Sequence, residues 1–257
     1  VLRRLLHTMW PPALTLALVV LAWDLAANAA HASLSLPGPW LVLTGSWRDR
    51  GDLASAMWTT TQEAVLGIAV AVVCAVILAV AIDASAALRR SIYPLMILSQ
   101  TIPLIALAPL VIIWFGFGQA PKVALVALFT FFAIAVATIQ GLGSADPDAI
   151  SLLRTMGATR RQILWRVRLP GALPQFFTGL KIGVTFSYVA AIFAEYVGAY
   201  GGLGYYMNVA SHAYETDLVF GAIVVTAALT MALFALVVAL ERAVIRWRPR
   251  TALDRPW

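Results

Sequence analysis

Few residues in this chain could do chemistry, and most of those stand where an apolar setting makes them costly. Asp24, Glu63, Lys181 and Glu195 lie within or at the ends of long apolar runs, where a charge must face protein or water. Glu195 precedes a glycine-rich stretch (Gly198, Gly201, Gly202, Gly204). It reads either as a gate or path residue or as an acceptor for the backbone N–H groups of that turn. Asp24 reads as a structural hydrogen-bonding group, Glu63 as a side chain reaching the interface, and Lys181 as one that snorkels toward water. Pro94, Pro103 and Pro109 bracket the polar run Ser99-Gln100-Thr101; proline frees backbone carbonyls, which neighbours or a water-lined cavity must satisfy. Ser99, Gln100, Thr101 and Pro103, with Tyr188 and Glu195, are therefore the candidate lining of a polar path. A kink that serves packing alone remains the other reading of the prolines. The tyrosines at 188, 196, 200, 205 and 206 could stack a ring-shaped solute or form an interfacial belt.

Several chemistries are excluded. The three histidines, His7, His31 and His212, are scattered, and no paired acids or Ser/His arrangement falls at matching depth, so the catalytic set is empty. The single cysteine, Cys74, permits neither a disulfide nor a thiolate metal site and reads as a packing residue. No metal site is expected. The chain holds no Gly-x-x-x-x-Gly-Lys-Ser/Thr loop, so it cannot bind ATP through that motif.

The segment 146–170 has the most informative spacing. Asp146-Pro147-Asp148 is a helix start, with a cap, a proline at the first position and an acid at the positive dipole end. Ala149, Leu152, Leu153 and Met156 fall at i, i+3, i+4 and i+7, one apolar face. Gly157 ends this helix, and Thr159 caps a second, Arg-rich one that is expected to end by Leu169-Pro170. An exposed apolar face on a short helix fits a groove on a partner, or else the lipid surface, which its basic neighbours would also favour.

The elements that must position these residues are membrane helices. Of 257 residues, 61% are apolar and only 12% charged, against about a quarter charged in soluble domains; mean hydropathy is +0.87. The net charge of +6 reflects topology, not nucleic acid. A span needs roughly 20 apolar residues, and six are read, at 10–30, 60–82, 91–116, 122–142, 176–197 and 218–240. The first is taken as a retained helix and not a cleaved signal peptide. With both termini inside, cytoplasmic segments hold fourteen of the eighteen basic residues and outer segments three, Arg48, Arg50 and Lys122; the positive-inside rule fixes that orientation. The outer segment 33–57 carries Trp40 and Trp47, with Trp58 just beyond it, suited to the interface. The outer stretch 198–217 is expected to contain a short helix. Gly179, Gly183 and Ser187 recur every fourth residue, a close-packing face. The whole chain, 1–257, is one all-α transmembrane domain.

Gly157, nine residues and then Val167-Arg168-Leu169-Pro170 resembles the signature of permease subunits of bacterial ATP-binding-cassette importers, whose Glu-Ala-Ala, three residues and Gly precede nine residues and Ile-x-Leu-Pro. Ser151-Leu152-Leu153 departs from Glu-Ala-Ala. Trp23-Asp24-Leu25, Leu36-Pro37-Gly38-Pro39, Pro103 to Pro109, Trp114 to Gly118 and Glu195 to Tyr205 are similar to the nitrate, sulfonate, taurine and thiamine-pyrimidine-precursor branch. The resemblance implies a six-helix type I importer permease with a cytoplasmic coupling helix between spans 4 and 5, in the bacterial inner membrane. Ser151, Leu152, Leu153, Arg154, Met156, Gly157, Ala158, Leu169 and Pro170 would couple it to a separate ATPase. That ATPase would bind ATP and Mg; no cofactor is expected in this chain. The other partners would be a second permease, with a homodimer favoured, an external substrate-binding protein and the lipid. The solute would be the thiamine pyrimidine precursor, with sulfonate, taurine, nitrate or riboflavin as alternatives. An ATP-independent secondary transporter is the competing reading, but such proteins often show repeat symmetry and buried coupling acids.

Overall fold

The computed structural model describes residues 2–29, 36–99 and 101–247. The described residues are helical throughout, without strands: α1 (Leu2–Ala29), α2 (Pro39–Arg48), α3 (Arg50–Ala84), α4 (Ala86–Ser99), α5 (Leu104–Phe115), α6 (Gln119–Gly143), α7 (Pro147–Thr155), α8 (Arg160–Ile163), a π-helical turn (Leu164–Arg168), α9 (Leu169–Gly198), α10 (Leu203–His212) and α11 (Thr216–Val244). Four have the length and apolar composition to cross a membrane: α3, α6, the continuous helix Arg160–Gly198, and α11. They carry the expected spans at 60–82, 122–142, 176–197 and 218–240. The expected first span lies on α1, whose apolar part Leu14–Ala29 is shorter; residue 30 is outside the described residues.

The expected third span is not one helix. It divides into α4 and α5, with Thr101 and Ile102 between them in a non-helical turn. Pro103 is the extended N-cap of α5, with φ −69° and ψ 129°, and a proline disfavours helix in the residue before it. Pro94 and Pro109 stay inside their helices. The stretch 33–57 also differs from a loop: from Pro39 it is helical, because Pro fits the first helical turn. At 35 residues, α3 is about 52 Å long, well beyond a hydrocarbon core of about 30 Å.

The core is the trio α3, α6 and α9. On α3, Ala71, Ala75 and Ala79 form a buried row of small residues; Ile134, Ala135, Ile139 and Leu142 of α6 and Ala172, Phe177, Leu180 and Val184 of α9 complete the cluster. Small residues let helices approach where van der Waals packing, not water exclusion, drives association. A Cβ on Gly179 would meet the Ala133 carbonyl oxygen at 2.6 Å and the Ala137 Cβ at 2.7 Å. Gly183 and the buried Ser187 continue that face, as their four-residue spacing predicts. Cys74, by contrast, is exposed on α3 and packs nothing in the core.

On the flank, α2 lies along α11. A Cβ on Gly221 would collide with Ser46, and one on Gly45 with Asp217. Trp23 of α1 donates its indole N–H to the Pro37 carbonyl at 3.1 Å and stacks on Phe220 of α11, centroids 5.8 Å apart. The bundle has two functional ends, one carrying α7 and α8 (the loop end), the other α10.

Candidate functional site

At the loop end, local rules build the connection between α6 and α9. The Asp146 carboxylate accepts from the Asp148 N–H at 2.9 Å, capping α7. The helix closes in a Schellman turn: Ala158 N–H donates to the Leu153 carbonyl at 2.9 Å and Gly157 N–H to Arg154 at 3.0 Å. Gly157 sits at φ 80°, the left-handed region where Gly alone is unpenalised. Thr159 and Gln162 then form a capping box: Gln162 N–H donates to Thr159 Oγ1, and Thr159 N–H to Gln162 Oε1 at 2.8 Å. This reciprocal cap fixes the direction in which α8 leaves the hinge.

The resulting surface is apolar where water or a partner can reach it. Leu152 is 62% exposed and Met156 74%, one turn apart on α7, with Leu153 and Ala149 half-buried beside them. Ser151, Arg154 and Gly157 are exposed, Ala158 half-buried, and Ile150 anchors the opposite face in the interior. Leu169 and Pro170 do not terminate a helix, contrary to the expected stop. Leu169 N–H bonds back to the Leu164 carbonyl in the wider π register, and Pro170, which lacks an N–H, falls within the first turn of α9. The π turn absorbs the missing donor, so residues 160–198 run on as one helix.

Two ion pairs tie this helix to its neighbours. Arg168 grips Asp83, at the end of α3, with one guanidinium nitrogen at 2.6 and 2.7 Å from the two carboxylate oxygens. Lys181 does not simply snorkel: its ammonium lies 3.0 Å from Glu241 of α11.

At the α10 end the same helix carries Glu195, 1% exposed. One oxygen accepts from the Gly204 N–H at 2.7 Å, and the other from the Thr60 hydroxyl at 2.7 Å. Thr60 in turn accepts from the Leu203 N–H at 2.8 Å. This is the turn-acceptor role expected for Glu195, extended to α3. Gly202, at φ 99°, lies so close over Glu195 that a side chain there would overlap the carboxylate. Glu63 corrects its expectation outright. It is fully buried, paired with Lys122 of α6, which is 6% exposed and not a loop cation.

The candidate path residues separate into two groups. Tyr188 and Glu195 are buried inside the chain, and Tyr188 donates to the Thr61 hydroxyl at 3.3 Å. Thr101 and Pro103 are exposed at the helix break, where the Thr101 hydroxyl donates to the Leu98 carbonyl in the last turn of α4 at 2.7 Å. The side chain of Ser99, and Gln100 altogether, lie outside the described residues. Asp24 accepts from Asn28 one turn along its own helix at 3.2 Å.

Beyond the buried cluster opens a cavity of about 610 Å³ between the first turns of α3, α10 and the start of α11. Asp49, Asp52 and Glu215 line it with Arg48, the hydroxyls of Ser55 and Thr59, and Tyr200, Tyr205 and Tyr206. The Tyr206 hydroxyl donates to Asp49 at 2.5 Å. Burial raises its phenol well above the usual range, and the carboxylate that accepts its proton adds to the shift. Tyr196 and Tyr200 are exposed, as a belt would have them. Sequence reasoning missed Thr60, Glu63–Lys122 and Asp83–Arg168. Depth matching would have found the last two: each pair joins span ends that the topology places on one side.

A family model described as the inner membrane component of binding-protein-dependent transport systems matches residues 67–246. Among similar proteins is a formylaminopyrimidine transport permease protein of Halalkalibacterium halodurans, 34% identical over 93% of this chain and 96% of that one. A taurine transport system permease protein of Escherichia coli is 31% identical over 90% and 86%. A riboflavin transport system permease protein of Chloroflexus aurantiacus is 37% identical over 62% and 60%. Two solved structures share the fold. One is the MetNI methionine ABC transporter in an inward-facing conformation, with TM-score 0.61, 24% identity, and 80% of this chain and 97% of that one covered. The other is an amino acid ABC transporter with histidines, with TM-score 0.62, 16% identity, and coverage of 79% and 97%.

Proposed function

Because the chain belongs to the family of binding-protein-dependent transport system inner membrane components, we propose that this ABC importer permease subunit docks a separate cytoplasmic ATPase through α7 and α8. It is a multi-pass inner membrane protein. In our reading α1 is its first span and α4 with α5 its third, giving six spans with both termini cytoplasmic. ATP and Mg bind the partner ATPase, an external binding protein delivers the solute, and a second copy of this chain completes the path. The observation that carries the docking role is the exposed pair Leu152 and Met156 on α7, held out by a Schellman turn and a capping box at either side of Gly157. Short amphipathic helices lay such faces into grooves. Ser151, Leu152, Leu153, Arg154, Met156, Gly157 and Ala158 form the contact, and Leu169 and Pro170 carry it into α9. The atypical Ser-Leu-Leu makes the contact apolar where an acid is usual for the family.

The solute in this reading is a formylaminopyrimidine-type thiamine precursor, as for the Halalkalibacterium relative. The α10-end cavity supports that choice: three carboxylates against one guanidinium favour a neutral or cationic ring over an anion such as a sulfonate, and three tyrosines offer stacking faces. In this reading Thr101 and Pro103, exposed at the break between α4 and α5, line the path, and the buried Glu195 holds the turn beside it. The relatives described above are transport permease proteins, which favours this reading over an ATP-independent transporter.

The test is co-purification with a co-expressed ATP-binding-cassette ATPase, together with uptake of labelled formylaminopyrimidine and of taurine. Leu153→Asp and Gly157→Pro should abolish both ATPase retention and uptake. Full retention and uptake in both variants would refute the docking role, and preference for taurine would refute the solute.

A further inference from the structure

The loop end holds an ion pair that neither packing nor the docking face explains. Arg168 is the last residue of the π turn, and its guanidinium donates to both carboxylate oxygens of Asp83 at 2.6 and 2.7 Å. The side chains are 27% and 17% exposed, and charge-assisted contacts of this length are among the strong ones. Asp83 is the penultimate residue of α3, whose far part carries Thr60 and Glu63. The helix that bears Arg168 runs unbroken to Glu195, which holds Thr60 at the other end. So α3 and the α8–α9 helix are joined at both ends by polar contacts. Between the ends they share the buried small-residue face of α3. The π turn and the interior Pro174 interrupt the regular hydrogen bonding of that lever, and π turns often mark functional sites in helices.

Resting on the docking reading above, we infer that Arg168 and Asp83 are positioning residues that make α3 move with the exit of the docking loop. Displacement of α7 and α8 reaches α9 directly, through a continuous helix. α3 also packs on α6, which leads into the loop, but the polar tie between α3 and the exit of the loop is this pair. Without the pair, α9 would shift against α3, and the two helices would no longer change state as one body. Coupling of this kind needs a packed element with two arrangements that both sites bias, and the inference assigns that part to the α3–α9 pair.

The experiment is hydrogen exchange on the full permease–ATPase complex in lipid nanodiscs, with and without ATP and vanadate. Two segments are read, 147–163 in the loop and 77–84 at the end of α3. In the native protein both should respond, with exchange at 77–84 changing on the order of tenfold, the range of allosteric coupling. In Asp83→Asn the loop response should persist while the response at 77–84 is lost. The exchanged pair Asp83→Arg with Arg168→Asp should restore it, which separates positioning from simple loss of folding. A response at 77–84 that survives Asp83→Asn overturns the inference. A loop that does not respond even in the native complex overturns the docking reading instead, and the inference with it.

Discussion

Replacing Lys122 with methionine keeps most of the side chain's length and removes its charge, leaving Glu63, whose carboxylate neighbours that of Glu195, without a cation. Glu63 is fully buried and Lys122 6% exposed, so water cannot substitute for the lost ammonium. Removing one partner of a buried pair costs about 3–5 kcal/mol. The expected loss is therefore about 3 kcal/mol. The double replacement, Glu63→Met with Lys122→Met, exchanges the pair for apolar groups of similar size and should recover most of it. The assay is the thermal midpoint of the purified permease in one detergent, followed by tryptophan emission, for the native protein, the single variant and the double variant. The single variant should melt several degrees lower and the double within about 1 kcal/mol of native. The reasoning fails if the single variant melts with the native protein, or if the double is as destabilised as the single. The first result would mean that the site is wet, and the second that the apolar pair does not pack in place of the ion pair.

Glu195→Ala should cost more than Glu195→Gln, because alanine leaves the buried Gly204 N–H without its acceptor, at about 1–3 kcal/mol, while the Thr60 hydroxyl falls back on the Ala56 carbonyl. Faster exchange of the 203–212 amides would report it. Gly179→Leu drives a side chain into the Ala133 carbonyl and the Ala137 Cβ of α6 and should destabilise by about 1–3 kcal/mol or prevent folding; the yield of monodisperse protein is the measure. Leu152→Ser with Met156→Ser should leave the thermal midpoint unchanged, since both side chains are exposed, yet lower ATPase retention on an affinity column.

Much of this architecture could be read from residue types. The loop helix starts and stops where Asp146, Pro147, Gly157 and Thr159 require, since capping and φ preference act within a few residues of chain. The close face of Gly179, Gly183 and Ser187 was equally plain, because small residues at four-residue spacing have few other uses in an apolar helix. The errors arose where distant residues decide. Leu169-Pro170 looked like a stop, yet a π turn lets the helix continue past a proline in its first turn. Glu63 and Lys122 looked like interface charges, because each stands alone in its own segment.

The sequence by itself determined that the chain is an all-helical, inner membrane importer subunit, and where its loop helix presents an apolar face. Hydropathy, capping and signature spacing are local quantities, written along the chain. Only the tertiary structure decided which charges meet: Glu63 with Lys122, Asp83 with Arg168, Lys181 with Glu241. Partners 59, 85 and 60 positions apart are selected by how helices align in depth and rotation. That alignment follows from the packing of the whole bundle and is not encoded in any one segment.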